Sequence, residues 1–367
     1  MVKERNSNFE LMRIISMLFI VLCHIIIHGH IIENCLNQSL KFIFEAIEFF
    51  IVIHVNSYVL TTGYFQSKSE FKQSKLWSII TSSLFYRIVI VILLTSLGLL
   101  SLTKTQLMRE LFILNIDHYW FLKFYFFLYI ISPILNKLIK SVDKKGLQKI
   151  ILILFIVFSV IPFITGNKAY HNNGFSLINF IILYFIGAYL RKYPIKNSFL
   201  FKNYSKNLYR TILVILFLSF FLINFALHNT LTLLSSSGSV FYELFGQIDC
   251  ISYSNPIVIL QSISYLLFFE TLDIKSKFIN NVSKTTLGVY MIHDNEYMRL
   301  HLYKWLNIDR QFYSYKMLIY VFGCMILIFV VCSIIEFIRL KVFKFIYNRK
   351  ISTKIRGKYY KYINSLK

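Results

Sequence analysis

The chain has 367 residues, of which 56% are hydrophobic and 18% aromatic. Its mean hydropathy is +0.59, and these values exclude an ordinary soluble domain. The formal net charge of +23 would fit a nucleic-acid partner, but the basic residues cluster between apolar runs on alternate sides. That is the positive-inside bias of a membrane protein, so no nucleic-acid partner is expected.

Apolar runs of the length that spans a hydrocarbon core recur along the chain. The spacing predicts an all-α polytopic integral membrane protein with about ten transmembrane helices. The predicted spans are 11–32, 40–63, 76–100, 118–138, 147–166, 174–191, 208–228, 254–272, 284–303 and 313–340. With the N-terminus placed inside, the predicted inside segments hold 29 Lys and Arg and the outside loops hold 5. That asymmetry predicts both termini in the cytoplasm. Residue usage rich in Lys, Asn, Ile and Phe is that of an AT-rich genome, so a bacterial plasma membrane is expected. Residues 1–345 read as one membrane domain and 346–367 as a basic cytoplasmic tail lying on anionic lipid. No cleavable signal peptide is expected, because the first apolar run is long and lacks a small-residue cleavage site.

The first span, LMRIISMLFIVLCHIIIHGH, carries Arg13 and His24. Eleven helical steps are three turns, so both lie on one stripe about 16 Å apart. Arg13 falls at the inner mouth and His24 near mid-membrane, where an ionisable group marks a functional site. Taken singly, each has a plain structural reading, a snorkelling arginine or a histidine bonded to a neighbouring helix. His28 lies four residues from His24 on the same face, and His30 follows in the interface.

The second span contains Glu45, Glu48, His54, Asn56 and Ser57, all of which must face protein or water. Glu45 and Glu48 share a face, and either is placed to orient His24. Residues 105–116, with Leu107, Leu111 and Leu114 on one face, read as an interfacial or re-entrant helix. The outside loop 228–253 has no basic residue and contains Tyr242, Glu243, Asp249 and Tyr253. Aromatic rings beside carboxylates suit sugars, although an ordinary polar loop has the same composition. The ninth span holds His293, Asp294, Glu296, Arg299 and His301, so only its first half is convincingly apolar. His293 is a second catalytic group or a packing histidine. Asp294, next to it, fixes the tautomer of His293 only if the backbone turns there. None of the five cysteines has metal-ligand spacing, no HExxH-type pattern exists, and no metal is expected. Cys35 and Cys250 fall on the same expected side and are candidates for a disulfide.

In order along the chain stand Arg13 and His24, EFFIVIHVNSYVLTTGYF, FKQSKLW, then YWFLKFYFFLYIISPILNKLI with Trp120 and Pro133. SKTTLGVYMIHDN, with Gly288, Tyr290 and His293, follows. This order resembles the acyltransferase 3 family of membrane O-acyltransferases that act on bacterial surface polysaccharides. The resemblance covers residues 9–340. It implies acetyl-CoA or a related acyl-CoA as donor and a hydroxyl of a surface polysaccharide, capsule, exopolysaccharide or cell-wall glycan as acceptor. It implies that Arg13 contacts the donor and that His24 is essential. The family's paired arginines after the second span appear here as Lys72 and Lys75, with Arg87 further on. Lysine binds phosphate as a point charge without the bidentate fork. The extra hydrolase-like domain of some members is not expected here.

These readings combine into one expected mechanism. Acyl-CoA docks on Arg13, Lys72, Lys75 and Arg87, and His24, polarised by Glu45 or Glu48, deprotonates the sugar hydroxyl, with His293 as a further catalytic group. A covalent acyl-enzyme relay is an alternative to direct transfer. The competing function is a flippase, exporter or polymerase-like protein for a lipid-linked glycan, which suits buried charges equally well but need not consume acyl-CoA.

Overall fold

The structure is a computed structural model that describes residues 5–112, 119–166, 172–199, 201–236 and 248–348. Leu114, Tyr242, Glu243 and tail residues 349–367 lie outside the described residues. The described residues are helical, with one isolated bridge between Cys35 and Phe312 and no sheet. All five cysteines are free, so the Cys35–Cys250 disulfide does not form.

Helix α1, Ser7–His28, starts where the Asn6 side chain accepts from the Asn8 amide, and it stops at Gly29. A Cβ at Gly29 would meet Ile25 O at 2.5 Å and Ile308 Cγ2 at 2.6 Å, so only glycine fits this end. The second predicted span is two helices, α2 (Gln38–Ile51) and α3 (His54–Gln66), broken at Val52 and Ile53. His54 heals the break by donating Nδ1–H to Ile51 O at 2.7 Å. Next come α4 (Gln73–Ser96), α5 (Lys104–Leu111), α6 (Trp120–Ser141) and α7 (Lys144–Phe155). A π-helical turn, Ile156–Val160, extends α7 into Ile161–Thr165. They are followed by α8 (Leu177–Lys192), α9 (Lys206–Ser236), α10 (Pro256–Glu270), α11 (Thr286–His293), α12 (Glu296–Trp305) and α13 (Lys316–Asn348).

Seven of these stretches are long and apolar enough to cross a membrane: Ser7–His28, Gln38–Gln66, Gln73–Ser96, Trp120–Ser141, Lys144–Thr165, Lys206–Ser235 and Lys316–Phe345. The chain is therefore a multi-pass membrane protein, but the expected count of ten is not reproduced. The sixth and eighth predicted spans are helices of 16 and 15 residues, short of the ~20 that cross a bilayer. The ninth is split, because α11 ends at His293 and α12 begins at Glu296. A helix stands over part of 105–116 as α5, opened by a Thr103–Gln106 capping box.

α1 is the axis of the fold. Its C-terminal half, from Met17 to Ile26, packs into a core shared with α4, α11 and α13. Its N-terminal half, through Phe9 and Met12, packs into a second core with α3, α6, α8 and α10. In that second core α3 and α8 touch backbone to backbone. A Cβ on Gly63 would stand 2.2 Å from Tyr184 O, and one on Gly187 would stand 2.1 Å from Leu60 O. Small residues that let helices approach closely are a usual means of association in lipid, where apolar contact alone gives little driving force. The N-terminus of α1 is tied to the segment before α11. Asn8 bonds Leu272 O and accepts from Ile274 N, and Ser7 Oγ accepts from Ser276 N at 3.1 Å. The two chain segments that carry the histidines are thus fastened together at their starts.

Candidate active site

His24 and His293 come from sequence positions 269 apart and meet, with His24 Nδ1 2.9 Å from His293 Nε2. The tautomers follow from the surroundings. His293 Nδ1 lies 2.6 Å from Val289 O. A carbonyl only accepts, so Nδ1 carries the proton and neutral His293 offers Nε2 as an acceptor. His24 then donates Nδ1–H to His293 Nε2, which leaves His24 Nε2 as its basic nitrogen. Asp294 Oδ1 stands 3.5 Å from His24 Nδ1, 3.8 Å from His28 Nε2 and 3.4 Å from Arg299 Nη1.

The break between α11 and α12 makes this contact possible. At Asp294 the backbone leaves the helix, and Asn295 caps α12 by accepting from the Tyr297 and Met298 amides. Asn295 Nδ2 donates to Tyr119 Oη at 3.0 Å, and Tyr119 donates to Met291 O at 2.7 Å. Tyr119 and Asn295 are both fully buried, so this clamp holds the turn. The backbone does turn at Asp294, but Val289 O and not Asp294 fixes the tautomer of His293, and the imidazole beside the Asp294 carboxylate is His24.

Glu45 and Glu48 do not polarise His24. Neither forms an ion pair or hydrogen bond with it among the described residues, and the carboxylate beside His24 is Asp294. The physical reason is rotation. α2 turns its Glu48 into a cavity that Cys23 and Ile27 of α1 and residues Asp249, Ile251, Ser252 and Tyr253 also line, while Glu45 lies within electrostatic reach of His228 on α9. Sequence reasoning undervalued Asp294 and missed the Tyr119–Asn295 clamp. The available signal was an Asp-Asn pair directly after an apolar run, which is a helix end followed by a cap.

At the other end of the stripe, Arg13 reaches the Glu10 carboxylate at 3.1 Å and remains about a third exposed, at 30%. Tyr58 donates to Arg13 O at 2.7 Å. Lys75 Nζ lies over the rings of Tyr129 and Tyr125, at 4.5 and 5.5 Å. Lys75 and Arg13 both lie within electrostatic reach of Tyr125. Helices α1, α3, α4 and α6 therefore bring Arg13 and Lys75 to one mouth. Lys72 caps α4 beside that mouth with its side chain exposed, and its amide is bonded to Tyr129 Oη. Arg87 is not part of this group. It is fully buried, donates to Phe112 O at 3.0 Å and lies 4.0 Å from Glu110, locking α5 against α4.

His24, His28 and Asp294 offer ligand atoms that all lie within 4.8 Å of one another. The set has the chemistry of a transition-metal site, but Arg299 already stands on the same Asp294 oxygen and places a positive charge where a cation would bind. A guanidinium balances this carboxylate.

A family model described as an acyltransferase domain matches residues 6–337. Comparisons with curated proteins and with solved structures return no match. The match runs over nearly the whole chain, from the residue that caps α1 to the middle of α13, and takes in both histidines and the basic mouth. The chain belongs to the acyltransferase 3 family, and it is a membrane acyltransferase.

Proposed function

We propose that the protein moves an acetyl or similar acyl group from acyl-CoA to a hydroxyl of a cell-surface or exported polysaccharide, in the plasma membrane of a bacterium with both termini cytoplasmic. The observation that carries this reading is the tautomer chain Val289–His293–His24, which presents His24 Nε2 as a base at mid-stripe. The family supports acyl transfer, and the paired cations Arg13 and Lys75 support an anionic donor.

In the proposed reaction the donor's phosphates rest on Arg13 and Lys75, with Lys72 at the rim. The thioester lies along the stripe toward His24. His24 Nε2 takes the proton of the acceptor hydroxyl as its oxygen bonds the acyl carbon. The carbon–sulfur bond then breaks, the ester is released, and the CoA thiolate takes up the proton held by the imidazolium. Asp294 stabilises that imidazolium, and His293 keeps the ring turned so that Nε2 faces the substrate.

A flippase for a lipid-linked glycan is the second reading, because two interrupted spans, at 52–53 and 294–295, are a transporter feature. Release of free CoA decides between them. Reconstituted protein given labelled acetyl-CoA and glycan extracts releases CoA and labels the glycan, and His24→Ala does neither. CoA release equal to a protein-free control across a panel of acyl-CoAs and glycans overturns the transferase reading.

A further inference from the structure

A cavity lies beside α1 at the level of Cys23 and Ile27, in the half of the helix away from Arg13. It has a volume of about 130 Å³ and is walled by Cys23 and Ile27 of α1, Glu48 of α2, Val52 in the break after α2, and His54 at the start of α3. Phe175 and the segment Asp249–Tyr253 close it. Cys23 and Ile27 stand one and three residues from His24 on the same helix, so the cavity lies at the level of the proposed base, on the neighbouring face of α1. The mechanism above uses none of its polar groups.

The lining is built for one kind of ligand. Its charged groups are the carboxylates of Glu48 and Asp249, which accept hydrogen bonds and repel anions. His54 donates Nδ1–H to Ile51 O, so its Nε2 accepts from Tyr253 Oη at 3.2 Å. That leaves the lone pairs of the Tyr253 oxygen as further acceptors. Tyr253 is held from several sides. Asn56 Nδ2 donates to Tyr253 O at 2.9 Å, Trp120 stacks on the ring at 5.8 Å with planes 16° apart, and Phe175 packs against it at 5.2 Å. A fixed aromatic ring beside clustered acceptors recognises a molecule with several hydroxyl donors and a flat C–H face. At ~30 Å³ per water, the space takes about four waters, which is one edge of a sugar ring and not a chain.

The geometry points to this cavity as the subsite for a neutral or amino-sugar residue, entered from the end of α1 opposite the donor. The inference rests on the transferase reading and deepens it. The donor is anionic and meets cations at Arg13 and Lys75, and the acceptor is uncharged or cationic and meets carboxylates at Glu48 and Asp249. The two substrates are sorted by charge to opposite ends of one stripe, with His24 between them.

The test needs no donor. Trp120, one of three tryptophans, reports on Tyr253 through its stacked ring. Protein in nanodiscs is titrated with methyl glycosides of glucose, galactose, N-acetylglucosamine, glucosamine and glucuronic acid, reading intrinsic fluorescence. Saturable quenching is expected with at least one neutral or amino glycoside and not with the glucuronide. Glu48→Gln and Tyr253→Phe each weaken it about tenfold, the loss of one good hydrogen bond, and Trp120→Phe removes the signal. His24→Ala, which abolishes transfer, still binds the glycoside. The proposal is overturned if no glycoside gives saturable quenching up to about 50 mM, if the glucuronide binds best, or if both cavity variants bind like wild type. Absent glycoside binding with normal CoA release removes this subsite and leaves the transferase reading. Glycoside binding without CoA release does the reverse.

Discussion

His293 accepts a hydrogen bond at 2.9 Å from His24, a residue 269 positions away in sequence on another helix. Because Val289 O holds the other nitrogen of His293, the pair has a fixed direction, with His24 Nε2 as the end that reacts. His24→Ala is expected to lower the rate of transfer by 10²–10⁴-fold, the usual contribution of a general base. His293→Ala removes only the bond that orients it, about 1 kcal/mol or roughly fivefold to tenfold in kcat, with KM for acyl-CoA unchanged. Single-turnover rates of the two variants check the ranking. A larger loss for His293 would make it the reacting base.

Asp294→Asn keeps the shape of the turn and removes its charge. The imidazolium formed on His24 then loses its nearest anion, and Arg299 is left with a neutral partner at 3.4 Å. A fall in kcat larger than that of His293→Ala is expected, with acyl-CoA binding intact by isothermal titration. Arg299→Gln, made in the Asp294→Asn background, should restore part of the rate by removing the unbalanced cation.

Arg13→Ala and Lys75→Ala are expected to raise KM for acyl-CoA by about tenfold each, since a hydrogen bond to a charged group contributes ~1.5–3 kcal/mol. Their kcat should change less. Arg87→Ala tests the opposite expectation. Its guanidinium serves Glu110 and Phe112 O, so its removal should lower thermal stability and leave KM for the donor near wild type.

Gly63→Val is expected to prevent proper folding. Its Cβ alone would lie 2.2 Å from Tyr184 O in the α3–α8 contact, and overpacking typically costs about 1–3 kcal/mol or more. Size-exclusion chromatography in detergent should show loss of the monodisperse peak. Gly98→Ala serves as a contrast. No atom lies within 4 Å of its Cβ position, but its φ of +70° strains an added side chain, so a small loss of stability is expected there.

Asn295→Ala removes the cap of α12 and leaves the buried Tyr119 hydroxyl without its donor. A destabilisation of about 1–2 kcal/mol is expected from the cap, together with reduced transfer, because Asp294 is the neighbouring residue. Asn295→Asp keeps the cap acceptor and loses the donor to Tyr119, so it separates the two contributions in a thermal-shift and rate comparison.

The sequence by itself determined the class of protein and the stripe that carries Arg13 and His24. Apolar run length and helical periodicity are local properties, and neither depends on what packs against the helix. The order of motifs likewise sufficed for the family. Tertiary structure decided the partners of that stripe. Glu45 and Glu48 looked suitable because their depth was readable, but the rotation of α2 about its axis is set by packing and sends Glu48 to the cavity beside Cys23. Asp294 reaches His24 because α11 stops at His293 and Tyr119 clamps Asn295 from a distant helix. The count of about ten spans is not reproduced among the described residues, because the sixth and eighth apolar runs form helices of 16 and 15 residues and the ninth breaks after His293, and an apolar run by itself does not show where a helix stops. Breaks at 52–53 and 294–295 depend on side chains, His54 and Asn295, that satisfy the freed backbone groups once the fold has formed.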